Sequence, residues 1–270
     1  MTQAESLFYG LTQMHTKITI GNPYSCSRHG FAWQHVPSGS LAHLDFGCGD
    51  GSFLRALDSK KIARRVGVDI SHQAAAQANR KHPDLQILHI SRTIPLPFAD
   101  GEFQSITLMD VLEHVYEQIE LLRELRRVLR NDGLLIVTVP GKYLFSCLDM
   151  GNLKFRFPRL HRWYYCRTHS RQDYDRRYSS NPDGLIGDIS SKKAWHEHFS
   201  RRYLKELLDK EGFAVREFDG AGFFSRPLGN VIYPFRRIRP IYQLFNRIIN
   251  WDLKHFESAN LFCLAAKNSS

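Results

Sequence analysis

Three glycines stand at alternate positions in Leu44-Asp45-Phe46-Gly47-Cys48-Gly49-Asp50-Gly51, directly after an apolar run that begins at Ala42. The run reads as a short buried strand. Alternate glycines let the backbone turn sharply and approach a ligand closely, because no Cβ intervenes. A helix opening near Ser52, through Phe53, Leu54 and Leu57, would aim its free N–H groups at the same place. Eighteen residues after Gly51, Asp69 closes a second strand through Val66-Gly67-Val68. A carboxylate there can accept hydrogen bonds from both hydroxyls of a ribose. The stretch therefore demands a strand, loop, helix and strand arranged around a nucleoside-binding crevice. A dinucleotide fingerprint would need its third glycine three residues after the second. Ser52 occupies that place here, which argues against a dehydrogenase.

The same alternation continues downstream. Ser71 is placed to cap a helix to Lys81, Leu85–Ile90 and Ser105–Met109 read as strands, and apolar residues at helical spacing run from Leu112 to Leu129. Asn131-Asp132-Gly133 reads as a turn into Leu134–Val139, a continuous apolar run of the kind found in central parallel strands. Helix Arg201–Glu211, with Ser200 as its cap, and strands Phe213–Phe218 and Asn260–Lys267 follow. Strand and helix in strict alternation predict an α/β fold whose parallel sheet is covered on both faces.

Four stretches, DFGCGDG, VGVDI, LPFADGEFQSITLMDVLEHV and LRRVLRNDGLLIVTVP, in this order and spacing, resemble the class I S-adenosylmethionine-dependent methyltransferases. The similarity is greatest to the small-molecule group that includes the ubiquinone and menaquinone C-methylases. It is strong over residues 42–140 and weaker over 198–215. The resemblance implies a Rossmann-like domain spanning residues 1–270, with a mostly parallel seven-stranded sheet and an insertion after the fifth strand. It implies S-adenosylmethionine as cofactor, with Gly47, Cys48, Gly49 and Gly51 along its methionine part and Asp45 organising the loop. It further implies Asp69 at the ribose, Ile70 on the adenine, and Met109, Asp110 and Val111 lining the methyl side. Members of the group often carry an acid–small pair before the LPF segment. Arg92-Thr93 stand there instead, and an arginine cannot accept the adenine amino hydrogen bond. Backbone atoms around Arg92 and Thr93 remain available for that edge.

His196 and His198, just before the helix at 201, are candidate bases for deprotonating an acceptor, since imidazole titrates near neutrality. The alternative is that they cap or pack beside that helix; His114 and Glu113 carry the same two readings. No metal site is expected, because the histidines and five scattered cysteines lack ligand spacing. Odd cysteine number, no secretory signal and no run near 18 apolar residues predict a reduced, cytoplasmic, soluble protein.

A formal charge of +10 leaves nucleic acid, an anionic membrane surface or an acidic substrate open as partners. Residues 141–198 interleave basic and aromatic side chains, as in Lys154-Phe155-Arg156-Phe157 and His161-Arg162-Trp163-Tyr164-Tyr165. They read as a lid over the acceptor, with nucleic-acid binding less favoured because no RNA-binding module is attached. Residues 227–251 read as an amphipathic segment, with Ile241, Tyr242, Leu244, Phe245, Ile248 and Ile249 on one face. It would cover a lipid-like acceptor, touch a membrane peripherally, or pack on its own domain or a twin subunit. The expected activity is methyl transfer to a small or lipid-like acceptor. The alternatives are an RNA or protein methyltransferase and a non-catalytic cofactor-binding scaffold.

Overall fold

The computed structural model describes residues 28–92, 94–148, 157–167, 169–179, 197–225, 227–228 and 238–268. Seven strands form one sheet: β1 (Ala42–Phe46), β2 (Arg64–Asp69), β3 (Gln86–His89), β4 (Phe103–Met109), β5 (Leu129–Pro140), β6 (Phe213–Ala221) and β7 (Asn260–Lys267). Their order is β3-β2-β1-β4-β5-β7-β6. Only β7 runs against the rest, pairing antiparallel with β5 and β6. The order reverses beside β1, so the carboxyl ends of β1 and β4 flank the crevice where open α/β sheets bind ligands.

Alternating side chains divide the core into two layers. On one face Leu44, Phe46, Ile106, Leu108, Leu135 and Val137 meet helices Gln118–Val128 and Arg201–Lys210. Leu121, Leu122, Leu125 and Val128 are fully buried there, each contributing about 1.5–3 kcal/mol. On the other face Ile136, Phe262 and Leu264 pack with Phe31, Phe53, Leu54, Ala75 and Ala78 of helices Arg28–His35, Ser52–Ala56 and His72–Lys81. Ser71 and Ser200 cap their helices as expected, accepting from Ala74 N at 3.2 Å and Tyr203 N at 3.1 Å.

Several boundaries differ from the sequence reading. The single helix expected from Leu112 to Leu129 is broken into a 3-10 turn at Leu112–His114 and a helix from Gln118. Val115 is extended, and the Gln118 side chain donates to Leu112 O at 2.9 Å, so the break is closed by a hydrogen bond that periodicity cannot foresee. Asn131-Asp132-Gly133 is a bulge inside β5. Phe103 pairs with Leu129 while Ser105 pairs with Leu134, so the extra residues are extruded from the ladder. Arg130 Nε donates to Asp132 Oδ1 there at 3.0 Å. The helix opening at Ser52 is only five residues long before a 3-10 turn.

The amphipathic segment holds a helix from Arg239 to His255, shorter than 227–251 and ending later; residues 229–237 lie outside the described residues. Its expected apolar face is split, with Ile249 buried but Leu244 and Ile248 exposed. Asp252 decides the orientation. Its buried carboxylate accepts from the backbone N–H groups of Phe223 at 3.0 Å, Phe224 at 2.9 Å and Ser225 at 2.7 Å. Charge-assisted bonds of this kind fix which side of the helix faces the domain.

Candidate functional site

The glycine loop folds back onto β2. Gly47 and Cys48 donate to Val68 O at 2.8 and 3.0 Å, and Gly51 donates to Cys48 O at 3.0 Å. Gly47 and Gly49 have φ of +80° and +54°, in the left-handed region. Their surroundings differ. A Cβ on Gly47 would lie 2.4 Å from Val111 Cγ2, whereas one on Gly49 would meet nothing within 4 Å. One glycine is pressed against the exit of β4, and the other borders open space.

Asp69 is buried and holds this loop. Its Oδ2 accepts from Gly49 N and its Oδ1 from Ser71 N, both at 2.8 Å. From the sequence this carboxylate is expected at a ribose; in the structure it holds the glycine loop and the start of the next helix. Ile70, beside it, packs half-buried on the core. Cys48 is buried, and burial with the nearby Asp45 and Asp69 charges pushes its thiol upward, so it is a packing residue.

Asp45 lies beneath the loop with 1% of its surface exposed. Thr107 Oγ1 donates to Asp45 Oδ1 at 2.7 Å, while Oδ2 has no hydrogen-bond partner. Burial pushes the Asp45 carboxyl up to about 7, against the lowering effect of the Thr107 bond and with Asp69 adding to the rise. His43 continues the chain on the same face: Nε2 lies 3.2 Å from Thr107 Oγ1 and Nδ1 lies 2.8 Å from Ser105 Oγ. Thr107's proton goes to Asp45, so His43 Nε2–H donates to Thr107 and Nδ1 accepts from the Ser105 hydroxyl. Burial lowers His43 to about 3, in keeping with that neutral tautomer.

The sequence reading missed His43, Ser105 and Thr107. A signal was present. Polar residues alternate in two strands otherwise apolar, and the register sets His43 beside Ser105 and Asp45 beside Thr107.

Past β4, Asp110 adopts φ +52°. It accepts from Thr138 Oγ1 at 2.8 Å and forms an ion pair with Arg28, which the sequence reading also missed. This turn delivers Val111 onto Gly47, and Met109 lies half-buried against the second core layer. Arg92 is solvent-exposed after β3; Thr93 lies outside the described residues.

His198 is half-buried beside the end of β5. Phe199 N donates to Pro140 O and Lys142 N donates to Phe199 O, both at 2.8 Å. Gln118 Nε2 donates to Glu197 Oε2 at 2.8 Å, linking the segment to the loop after β4. The fold thus brings His198 to the same sheet edge as the glycine loop. His196 lies outside the described residues. Glu113 is buried and His114 exposed, with His114 Nε2 4.0 Å from Glu113 Oε1. Among the described residues no cluster of three His, Cys, Asp or Glu side chains could hold a metal.

A nucleoside with a cationic amino-acid tail fits these features. The open face of Gly49 admits close approach, and the unpaired Asp45 Oδ2 offers a buried acceptor for an ammonium group.

Known proteins resemble this chain in sequence and in fold. Residues 44–137 match a family described as a methyltransferase domain. A "Probable S-adenosylmethionine-dependent methyltransferase" of Mycobacterium tuberculosis is 30% identical over 126 residues, 46% of this chain and 45% of the relative. A demethylmenaquinone methyltransferase of Staphylococcus saprophyticus is 34% identical over 108 residues, 38% of this chain and 45% of the relative. The chain thus spans less than half the length of these relatives. Among solved structures, a S-adenosylmethionine-dependent methyltransferase from Methanosarcina mazei shares the fold, with a TM-score of 0.53, 16% identity, and coverage of 89% of this chain and 98% of that one.

Proposed function

We propose that this chain, whose residues 44–137 match a methyltransferase domain, transfers the methyl group of S-adenosylmethionine to a small-molecule or lipid-like acceptor. The observation that carries the reading is the buried Asp45 carboxylate, with one oxygen unpartnered, beneath a glycine loop whose middle residue borders open space. In this reading Gly47, Cys48, Gly49 and Gly51 lie along the methionine part, Asp45 receives the amino group, and Asp69 the ribose. Ile70 packs on the adenine, and Met109, Asp110 and Val111 line the methyl side. Arg92 and Thr93 contribute backbone only.

The donor, when bound, supplies an electrophilic methyl group. The chain's residues then orient an acceptor in line with it, which contributes several kcal/mol, up to about 7–11 in ideal cases. His198 takes the proton of an oxygen or nitrogen acceptor. The acceptor enters over the carboxyl edge, where residues 142–198 leave β5 and return beside Gly141. A relative named for demethylmenaquinone supports an apolar acceptor.

Titration calorimetry with S-adenosylmethionine, followed by incubation of the protein with methyl-labelled donor and fractionated cell extract, tests the proposal. Donor binding with label in the lipid-soluble fraction is expected. Label in RNA or protein would replace the acceptor class. Absence of donor binding would refute the reading.

A further inference from the structure

Both long connections of this fold leave the sheet at one edge. The first follows Pro140 and the second follows Ala221, and the register sets both residues beside Asn260. That is the edge at which the glycine loop and Asp110 lie. Each connection carries a helix with an apolar stripe turned to solvent.

Helix Arg239–His255 has two stripes. Ile249 and Asp252 are buried, with Tyr242 and Phe245 half-buried at the same helical spacing. Leu244, Ile248 and Trp251 form the second stripe and are 57%, 41% and 54% exposed. Arg247 and Lys254 lie beside it, and Asp252, the helix's one acid, is buried and held by Phe223–Ser225 backbone N–H groups. The outward face is therefore apolar and cationic with no negative charge. Helix Pro158–Tyr165 repeats the pattern. His161 and Tyr165 are buried among Tyr174 and Tyr178, while Leu160 and Trp163 face outward at 53% and 57% exposure. Arg159 lies beside them and Arg167 stacks over Trp163 at 4.5 Å, while Arg162 turns to Tyr174 and pairs with Asp175 at 3.5 Å.

We propose that these two helix faces dock the protein on an anionic lipid surface. Apolar side chains in a stripe, tryptophan at the margin and arginine or lysine alongside are what an interfacial helix needs to enter the boundary between headgroups and acyl chains. The net charge of +10 supplies the matching long-range attraction. Single-stranded nucleic acid fits less well, because Leu160, Leu244 and Ile248 are aliphatic and give bases nothing to stack on. Docking through this edge would turn the crevice toward the bilayer surface, and this consequence alone rests on the methyl-transfer reading. An acceptor with its tail in the membrane could then reach the site without leaving it.

The test is sedimentation of the full chain with phosphatidylglycerol–phosphatidylcholine vesicles and with phosphatidylcholine alone, at low and high salt. Anionic vesicles should bind the protein at low salt, and binding should weaken as salt rises. Two variants should each lower partitioning about tenfold or more: Leu244→Gln/Ile248→Gln/Trp251→Gln and Arg247→Glu/Lys254→Glu. Calorimetric titration of each variant with S-adenosylmethionine should match wild type. If the triple variant fails to fold, the charge variant and the salt series decide. The proposal is overturned if wild type stays in the supernatant with anionic vesicles at low salt, or if both folded variants sediment like wild type. It is equally overturned if the triple variant abolishes a lipid-free dimer, or if RNA retains the protein where vesicles do not. Vesicle binding without donor binding would leave docking standing and sink the methyl-transfer reading.

Discussion

The hydroxyl of Thr107 donates to Asp45 Oδ1 at 2.7 Å across the β1–β4 pair, which fixes one carboxylate oxygen and leaves the other without a hydrogen-bond partner. Because burial raises Asp45 to about 7, the free protein holds this carboxyl partly protonated at neutral pH. A cationic amino group binds the ionised form. Donor affinity should therefore fall as pH drops below 7, by up to about tenfold per unit. Calorimetric titrations between pH 5.5 and 8 check this, and Asp45→Asn should flatten the profile. A flat wild-type profile would separate Asp45 from the donor.

Asp45 and His43 act oppositely on stability. The raised Asp45 pKa stabilises the fold at low pH, and that contribution is lost as pH rises from about 4 to about 7. The lowered His43 pKa stabilises it above 6.5, and that contribution is lost as pH falls toward 3. The two nearly cancel between about pH 4 and 6.5. Asp45→Asn removes one of them, so its urea-unfolding stability should decline on acidification by about 1.4 kcal/mol per unit more than wild type. Equal slopes in the two proteins would show that the pair does not titrate this way.

Gly47 and Gly49 should respond differently to alanine. Both pay the cost of a left-handed residue, about 1–2 kcal/mol. Gly47→Ala also drives its methyl into Val111 and should unfold at distinctly lower temperature. Gly49→Ala has room, so it should stay folded while donor affinity drops about tenfold or more as the methyl occupies the approach. Thermal melts paired with donor titration distinguish the two effects.

Asp252→Ala leaves the backbone N–H groups of Phe223, Phe224 and Ser225 without their carboxylate. A loss of about 2–4 kcal/mol is expected. Hydrogen exchange should show lost protection at those three amides before the sheet is affected.

His198→Ala should lower turnover on an oxygen or nitrogen acceptor by about 10²–10⁴-fold with donor affinity unchanged. Full turnover in the variant would return His198 to a packing role beside β5.

The order of the seven strands and of the helices between them was legible from the chain alone, because a sheet covered on both faces forces apolar runs and helical stripes; helix Arg28–His35 was not. The glycine loop, Asp45 and Asp69 were legible for a related reason: few residue types tolerate a left-handed turn or a charge at a buried strand end. Three-dimensional pairing decided the rest. Ser105, His43 and Thr107 become one hydrogen-bonded chain only when the β1–β4 register places them side by side. Arg28 meets Asp110 across 82 positions of sequence. The outward stripe of Leu244, Ile248 and Trp251 exists because Asp252 binds backbone elsewhere and so selects which side of an ambiguous helix is covered. Local patterns fix what a segment can become. Which partner each polar group finds depends on contacts between residues distant in the chain.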